Sequence, residues 1–355
     1  MTFTDQPAAI RNGEAFETKK LESFLRDSIP DLGREMVIQQ FPGGHSNLTY
    51  LITFGKRELV LRRPPFGTKA KSAHDMGREY RVLSALKDTY PYGPKPLAYA
   101  EDTTIIGCPF YVMERITGVI VRREFPAGLD ASPDTIRALC RNMVQVHHDL
   151  HAIDPRGVGL DNFGKPAGYV ERQVTGWSRR YRNARTPDAP DCEAVMAWLL
   201  EKMPPDSPAP AIIHNDFKLD NVVLDPDNPQ EIIGVLDWEM ATVGDPLMDL
   251  GGSLAYWVQK DDPPDLQAIR SMPTDAAGAL SRDEIVDYYA RLSKRAIDNY
   301  DFYYCFGLFR LAVIAQQIYY RYYHGQTRDE RFKMMIFGVH ALEKTAIDNI
   351  ERSKL

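Results

Sequence analysis

The spacing of apolar positions changes twice along the chain. Residues 1 to about 34 are polar and mixed, and ETKKLESFLRDSI within them carries one short amphipathic helix. From residue 36 the period shortens. MVIQQF (36–41), LTYLITF (48–54) and ELVLR (58–62) are β-rich runs split by PGGHSN and GKR, which predicts antiparallel strands pairing in sequence order. Residues 75–87 place Met76, Tyr80, Leu83 and Leu86 on one helical face, expected to pack on that sheet. PLAYA and PFYVMERI supply two further strands, and past Thr117-Gly118 the pattern turns mainly helical. Ser132-Pro133-Asp134 is an N-cap, N1 proline and acidic first turn that opens a helix through Ile136, Leu139, Met143, Val146 and Leu150. Later helices are predicted over 191–203, 246–259, 282–299, 301–324 and 328–350, with Ser281 and Glu284 forming a capping box. The expected architecture is α+β: a helical cap over 1–34, a β-rich lobe over 35–117 and a helical lobe over 118–355, with ligands in a cleft.

Composition narrows the function classes. The chain has 355 residues, and its 43 basic against 49 acidic residues give a net charge of -6, so no global field attracts a nucleic-acid backbone. Cys108, Cys140, Cys192 and Cys305 are too far apart for a zinc knuckle or redox pair, and a reducing cytosol is expected. The N-terminal stretch lacks an apolar export core, and Arg310 interrupts the most apolar later run, LFRLAVIAQQ. A cytoplasmic protein without membrane or nucleic-acid partners is expected.

The densest chemistry lies in residues 212–239, IIHNDFKLDNVVLDPDNPQEIIGVLDWE. DPDNPQ separates two apolar runs and should close an antiparallel hairpin. Closure sets Asn221, before the first strand, beside Asp237, after the second, with Asp216 in the approach loop. An amide oxygen beside a carboxylate is a hard-oxygen pair suited to Mg²⁺, and a further carboxylate can orient and deprotonate a hydroxyl. Those roles are the requirements of phosphoryl transfer.

His214-Asn215-Asp216-Phe217-Lys218-Leu219-Asp220-Asn221 resembles the H-x-D-x-x-x-x-N catalytic loop of the aminoglycoside phosphotransferase and choline kinase superfamily. Leu236-Asp237-Trp238-Glu239 resembles its I-D-W-E segment, and Gly244-Asp245-Pro246 with Asp249-Leu250 its G-D-P-x-x-D-L continuation. The likeness runs over roughly 36–325. It implies a two-lobed protein-kinase-like fold, an antiparallel sheet with one main helix followed by a mostly helical lobe. It also implies ATP or another nucleoside triphosphate with Mg²⁺ as cofactors, Asp216 as catalytic base, Asn221 and Asp237 as metal ligands, and His214 and Asp249 as braces of the loop. In the N-terminal lobe, Gly43-Gly44-His45-Ser46-Asn47 is a permissive turn expected to fold over the phosphates, with Ser46 and Asn47 as nucleotide contacts. Arg62 stands where related kinases carry a lysine, and it is expected to pair with Glu79. Backbone groups near Glu114 and Ile116 resemble the adenine-binding hinge. The arginine substitution keeps a non-catalytic nucleotide-binding pseudokinase in view. A protein kinase is disfavoured, because D-F-G and A-P-E are missing.

His147 and His151 lie one helical turn apart, but position 148 is His where a zinc hydrolase needs Glu, so a structural role is expected, with His151 bracing the catalytic loop. Residues 169–185, YVERQVTGWSRRYRNAR, carry five arginines against one glutamate, which suits an anionic acceptor or else a solvated basic helix face. The Y-x-E-R-Q-x-x-x-W stretch resembles kinase-like proteins associated with acyl-CoA dehydrogenases, which implies a hydroxylated acyl acceptor, free or on coenzyme A, and association with enzymes of acyl-CoA metabolism. Arg172, Trp177, Arg179, Arg180 and Glu239 are the acceptor-side candidates. Asp261, Asp262 and Asp265 keep an aminoglycoside or amino-alcohol acceptor open.

Overall fold

The computed structural model describes residues 6–42, 47–65 and 75–355. The chain divides into two compact units, Met1–Ile120 with Asn221–Ala241, and Val121–Asp220 with Thr242–Leu355.

In the first unit, α1 (Thr18–Ser28) buries Leu21 and Leu25, and the Glu17 side chain caps it by accepting from the Lys19 amide. Strands β1 (Met36–Gln40), β2 (Leu48–Phe54) and β3 (Arg57–Arg63) run antiparallel in sequence order, as the three β-rich runs predict. Only two residues join β2 to β3, and Gly55 there takes φ +61°, a conformation glycine adopts without steric cost. Next comes α2 (Met76–Leu86), capped by Asp75, whose carboxylate accepts from the Arg78 amide at 3.0 Å. β4 (Pro96–Ala100) and β5 (Phe110–Glu114) complete a five-stranded sheet among the described residues, in the order β1-β2-β3-β5-β4.

The two-residue period of the strands sorts their side chains. Tyr50, Ile52, Phe54, Leu59, Leu61, Phe110 and Val112 form one core with Leu21 and Leu25 of α1. The alternate positions, Arg62 and Tyr111, meet Glu79 of α2 instead. One expectation changes here. Tyr80 is only half-buried, stacked on Tyr99 at 5.4 Å, while Glu79 and Val82 take the buried face.

The second unit opens with α3 (Pro133–His151), whose start at Ser132 and buried face both match the cap signal and the apolar period. It continues through α4 (Tyr169–Ala184), α5 (Glu193–Glu201) and β6 (Ala211–Ile213). At Asn221 the chain enters the first unit as the hairpin β7 (Val222–Leu224) and β8 (Ile232–Val235), with Val222 opposite Val235. It then returns as β9 (Thr242–Gly244), antiparallel to β6, followed by α6 (Pro246–Ala255), α7 (Pro264–Ala268), α8 (Arg282–Ser293), α9 (Tyr300–Tyr323) and α10 (Met335–Arg352).

Three helix boundaries depart from the apolar period, the first being that of α6, which ends at Ala255 rather than at 259. α8 stops at Ser293 because Lys294 takes a left-handed φ of 55°, which no helix continues through. The last helix begins at Met335, after a 3₁₀ turn over Glu330–Met334. Among the described residues no helix is long and apolar enough to cross a membrane.

Candidate active site

The first unit gathers a charged cluster around Arg62. Its Nη2 donates to Asp237 Oδ1 at 2.9 Å, and its Nε lies 3.4 Å from Glu79 Oε2. Glu79 is buried and also accepts from the Tyr111 hydroxyl at 2.7 Å and from Asn47 Nδ2 at 3.0 Å. Asn47 Nδ2 in addition donates to Glu239 Oε2 at 2.9 Å, so one amide ties the two glutamates together. Burial works against the charge of Arg62, yet Glu79, Tyr111 and Asp237 hold its pKa well above the ordinary value. Burial likewise raises Glu79, with Arg62 and the Tyr111 hydrogen bond opposing it. Hairpin closure places Asn221 beside the start of the D-W-E segment, where the Leu236 amide donates to the Asn221 carbonyl at 2.7 Å. Asp237 takes φ 66°, a left-handed conformation that non-glycine residues adopt at a cost.

The second unit builds the loop that carries Asp216. Asp249 of α6 lies beneath it, accepting from the His214 and Asn215 amides, both at 2.7 Å. The same carboxylate meets His147 Nε2 at 3.0 Å and His151 Nε2 at 3.1 Å, while His151 Nδ1 meets the Tyr289 hydroxyl at 2.7 Å. These groups lie close enough to hold a cation, but each is committed to a hydrogen bond that fixes the loop. Burial lowers His151 to about 4, so it is a neutral donor at pH 7. Although burial opposes it, the two histidines hold Asp249 well below the usual carboxylate range. The loop is pinned from two further sides: Arg310 Nη2 donates to the Asn215 carbonyl at 2.6 Å, and Ser253 Oγ to the Phe217 carbonyl at 2.6 Å. Asn215 itself takes φ 65°. The Asp216 amide donates to His214 Nδ1 at 3.3 Å. Lys218 Nζ lies 3.1 Å from Asp216 Oδ2 and 3.6 Å from Asp220 Oδ1, over the Tyr256 ring at 4.8 Å.

The remaining sequence candidates fall in different surroundings. Ser46 lies outside the described residues, with Gly43, Gly44 and His45. The Glu114 amide donates to the Lys95 carbonyl at 2.9 Å, so that donor is already engaged within the sheet. Ile116 covers Gly234, where a Cβ would come within 2.8 Å of its Cδ1. Glu239, expected on the acceptor side, sits in the Arg62 cluster through Asn47. On α4, Arg172 donates to the Ala167 and Lys165 carbonyls, and Arg182 forms a two-pronged pair with Glu193. Trp177 is buried, with the Arg180 guanidinium 4.6 Å from its ring centre.

Three participants escape a reading by motif. Tyr111 alternates with core residues in an apolar strand and carries no mark of its partner. Lys218 is flagged only by its place between two aspartates. Arg310 signals itself as a lone charge in an apolar run, which demands a partner, but the sequence does not say which.

A family model described as phosphotransferase enzyme family matches residues 37–282. Mouse acyl-CoA dehydrogenase family member 10 is 36% identical over 320 residues, covering 89% of this chain and 30% of that protein, so the chain spans about a third of the relative's length. A crystal structure from Ralstonia eutropha JMP134, assigned as an aminoglycoside phosphotransferase, superposes with a TM-score of 0.83 at 28% identity, covering 96% of this chain and all of the other. The GDP and kanamycin complex of APH(2″)-IIIa shares the fold at a TM-score of 0.60 and 15% identity, covering 93% of this chain and 99% of that one.

Proposed function

The chain belongs to the phosphotransferase enzyme family, with a protein-kinase-like fold, and from that premise we propose that it is an ATP- and Mg²⁺-dependent O-phosphotransferase acting on a hydroxyl of a small anionic or acyl-type acceptor. The observation that carries this reading is the Asp216 loop, fixed through Asp249, Arg310 and Ser253. Such rigidity suits a group that must meet a hydroxyl in a reactive geometry.

The donor set fits the implied cofactors. Asn221 and Asp237 offer hard oxygens at the open end of one hairpin, and Asp237 remains about a third exposed. When bound there, Mg²⁺ would neutralise charge on the β- and γ-phosphates. Arg62 offers a planar fork for phosphate oxygens, oriented by Glu79. Asp216 accepts the acceptor's hydroxyl proton as its oxygen bonds to the γ-phosphorus; the bond to the β-bridging oxygen breaks and ADP departs. Lys218 Nζ, 3.1 Å from Asp216 Oδ2, holds that carboxylate in place. The GDP in the complex of related fold supports nucleotide use. The name of the mouse relative favours a hydroxyacyl acceptor, free or on coenzyme A, and association with enzymes of acyl-CoA metabolism. Four cysteines without disulfides suit a cytoplasmic setting.

Titration calorimetry of ATP with and without Mg²⁺ tests the cofactor assignment. Metal-dependent uptake that weakens in Asp237→Asn is expected; equal binding without metal would remove Asn221 and Asp237 from that role.

Two other readings each have an observation. Arg62 occupies Asp237 Oδ1, as a pseudokinase using arginine in place of metal would have it. A cavity of about 700 Å³ walled by Asp261, Asp283, Asp348 and Glu351 would suit a cationic aminoglycoside or amino-alcohol, though Asp262 in its wall is already paired with Arg282.

A further inference from the structure

The five arginines of residues 169–185 do not act alike. Arg172 spends donors on the carbonyls of its own approach loop, and the charge of Arg182 is matched by Glu193. Arg179 and Arg180 are exposed and have no carboxylate partner among the described residues. Arg180 lies against Trp177, and the same ring receives a second guanidinium from α9, Arg310, at 5.4 Å. Arg310 is buried and its Nη2 holds the Asn215 carbonyl, one residue before Asp216. Like charges gathered around one indole repel, and nothing internal neutralises Arg179 and Arg180. Burial lowers the pKa of Arg180, with Arg179 and Arg310 lowering it further. A positive potential is therefore built next to the candidate catalytic loop on a rigid aromatic support, the arrangement that captures an oxyanion.

We propose that Arg180 and Arg310 around Trp177, with Arg179 next to Arg180 on α4, form an anion-recognition site, which holds a carboxylate or phosphate group of the acceptor while its hydroxyl reaches Asp216. This rests on the phosphotransferase reading and deepens it. Arg310 belongs to both structures, since it ties the anion site to the loop backbone. An acceptor lacking the anion would bind without that anchor, and a cationic one would be repelled.

The test pairs acceptors of matched length and different charge: 6-hydroxyhexanoate, 1,6-hexanediol and 6-amino-1-hexanol, with 3-hydroxybutyryl-CoA carrying phosphates but no carboxylate. ADP release is followed for each, and calorimetry follows binding of the two anionic acceptors without nucleotide. The site predicts that at least one anionic acceptor is preferred. In Arg179→Ala/Arg180→Ala its KM rises roughly 10- to 100-fold, the loss expected for charge-assisted bonds, with a smaller change in kcat and a parallel loss of calorimetric binding. Loss confined to 6-hydroxyhexanoate identifies a carboxylate, and loss confined to the thioester identifies a phosphate. Arg182→Ala, from the same helix but paired internally, leaves the KM of the anionic acceptor unchanged. Equal use of the diol or the amino-alcohol, with anionic KM values and binding untouched by the double substitution, overturns the anion site and leaves the phosphotransferase reading standing. ADP release with no acceptor at all, together with no calorimetric binding of either anion, overturns both.

Discussion

Arg62 shows how one residue changes the meaning of a motif. It is buried between Glu79 and Asp237, with Tyr111 and Asn47 completing the partners of Glu79. Removing it leaves a buried carboxylate without its cation, and Arg62→Ala should lose roughly 3–5 kcal/mol in urea unfolding, with Arg62→Lys losing less. A loss below about 1 kcal/mol would mean that Glu79 is neutral in the fold. His151 supplies a pH-dependent term. Its folded pKa of about 4 lies below the ordinary 6.5, so above pH 6.5 neither state is charged and it adds no pH dependence. Between 6.5 and 4 only the unfolded chain takes up the proton, and stability falls by roughly 3 kcal/mol as the medium is acidified through that window. Asp249, held low, adds its own loss only at more acid pH. His151→Gln should flatten the stability profile between pH 6.5 and 4.5, read by chemical denaturation; an unchanged slope would assign the acid sensitivity elsewhere.

At the scale of elements, legibility in the sequence follows locality. The meander of β1 to β3 and the hairpin of β7 and β8 pair strands that are neighbours in sequence, and their pairing could be read from turn residues and apolar runs. β6 and β9 have three residues each, and their pairing depends on partners far apart in sequence, so no period marks them. The end of α8 was hidden because Lys294, not glycine, takes the left-handed position. The α6–α9 crossing was equally silent. A Cβ on Gly251 would fall 2.2 Å from the Tyr303 carbonyl, and one on Gly307 would fall 2.2 Å from the Gly251 carbonyl. Since α6 carries Asp249 under the Asp216 loop, this contact sets the height of the brace. Gly251→Ala should cost several kcal/mol, on the order of 3, by forcing two backbones apart, with the melting temperature as readout. A variant melting like the wild type would show that the crossing yields cheaply.

For the whole molecule, the family and fold were legible because the H-x-D-x-x-x-x-N, D-W-E and G-D-P-x-x-D-L segments lie in one stretch of about 40 residues of sequence. Asp249 and His151 were expected as braces of the loop, but Arg310 and His147 were not, since Arg310 meets Asn215 across 95 positions and His147 meets Asp249 across 102. Contacts of that range are set by the packing of helices and leave no local trace. The account as a whole stands on transfer of phosphate to a hydroxyl by way of Asp216. ³¹P NMR of the protein with Mg·ATP and the matched acceptors follows that event directly. The account predicts a new phosphomonoester resonance that appears only with acceptor, grows with ADP, and slows by at least about 100-fold in Asp216→Asn. No phosphomonoester with any acceptor, or an Asp216→Asn variant that makes it at the wild-type rate, would contradict it.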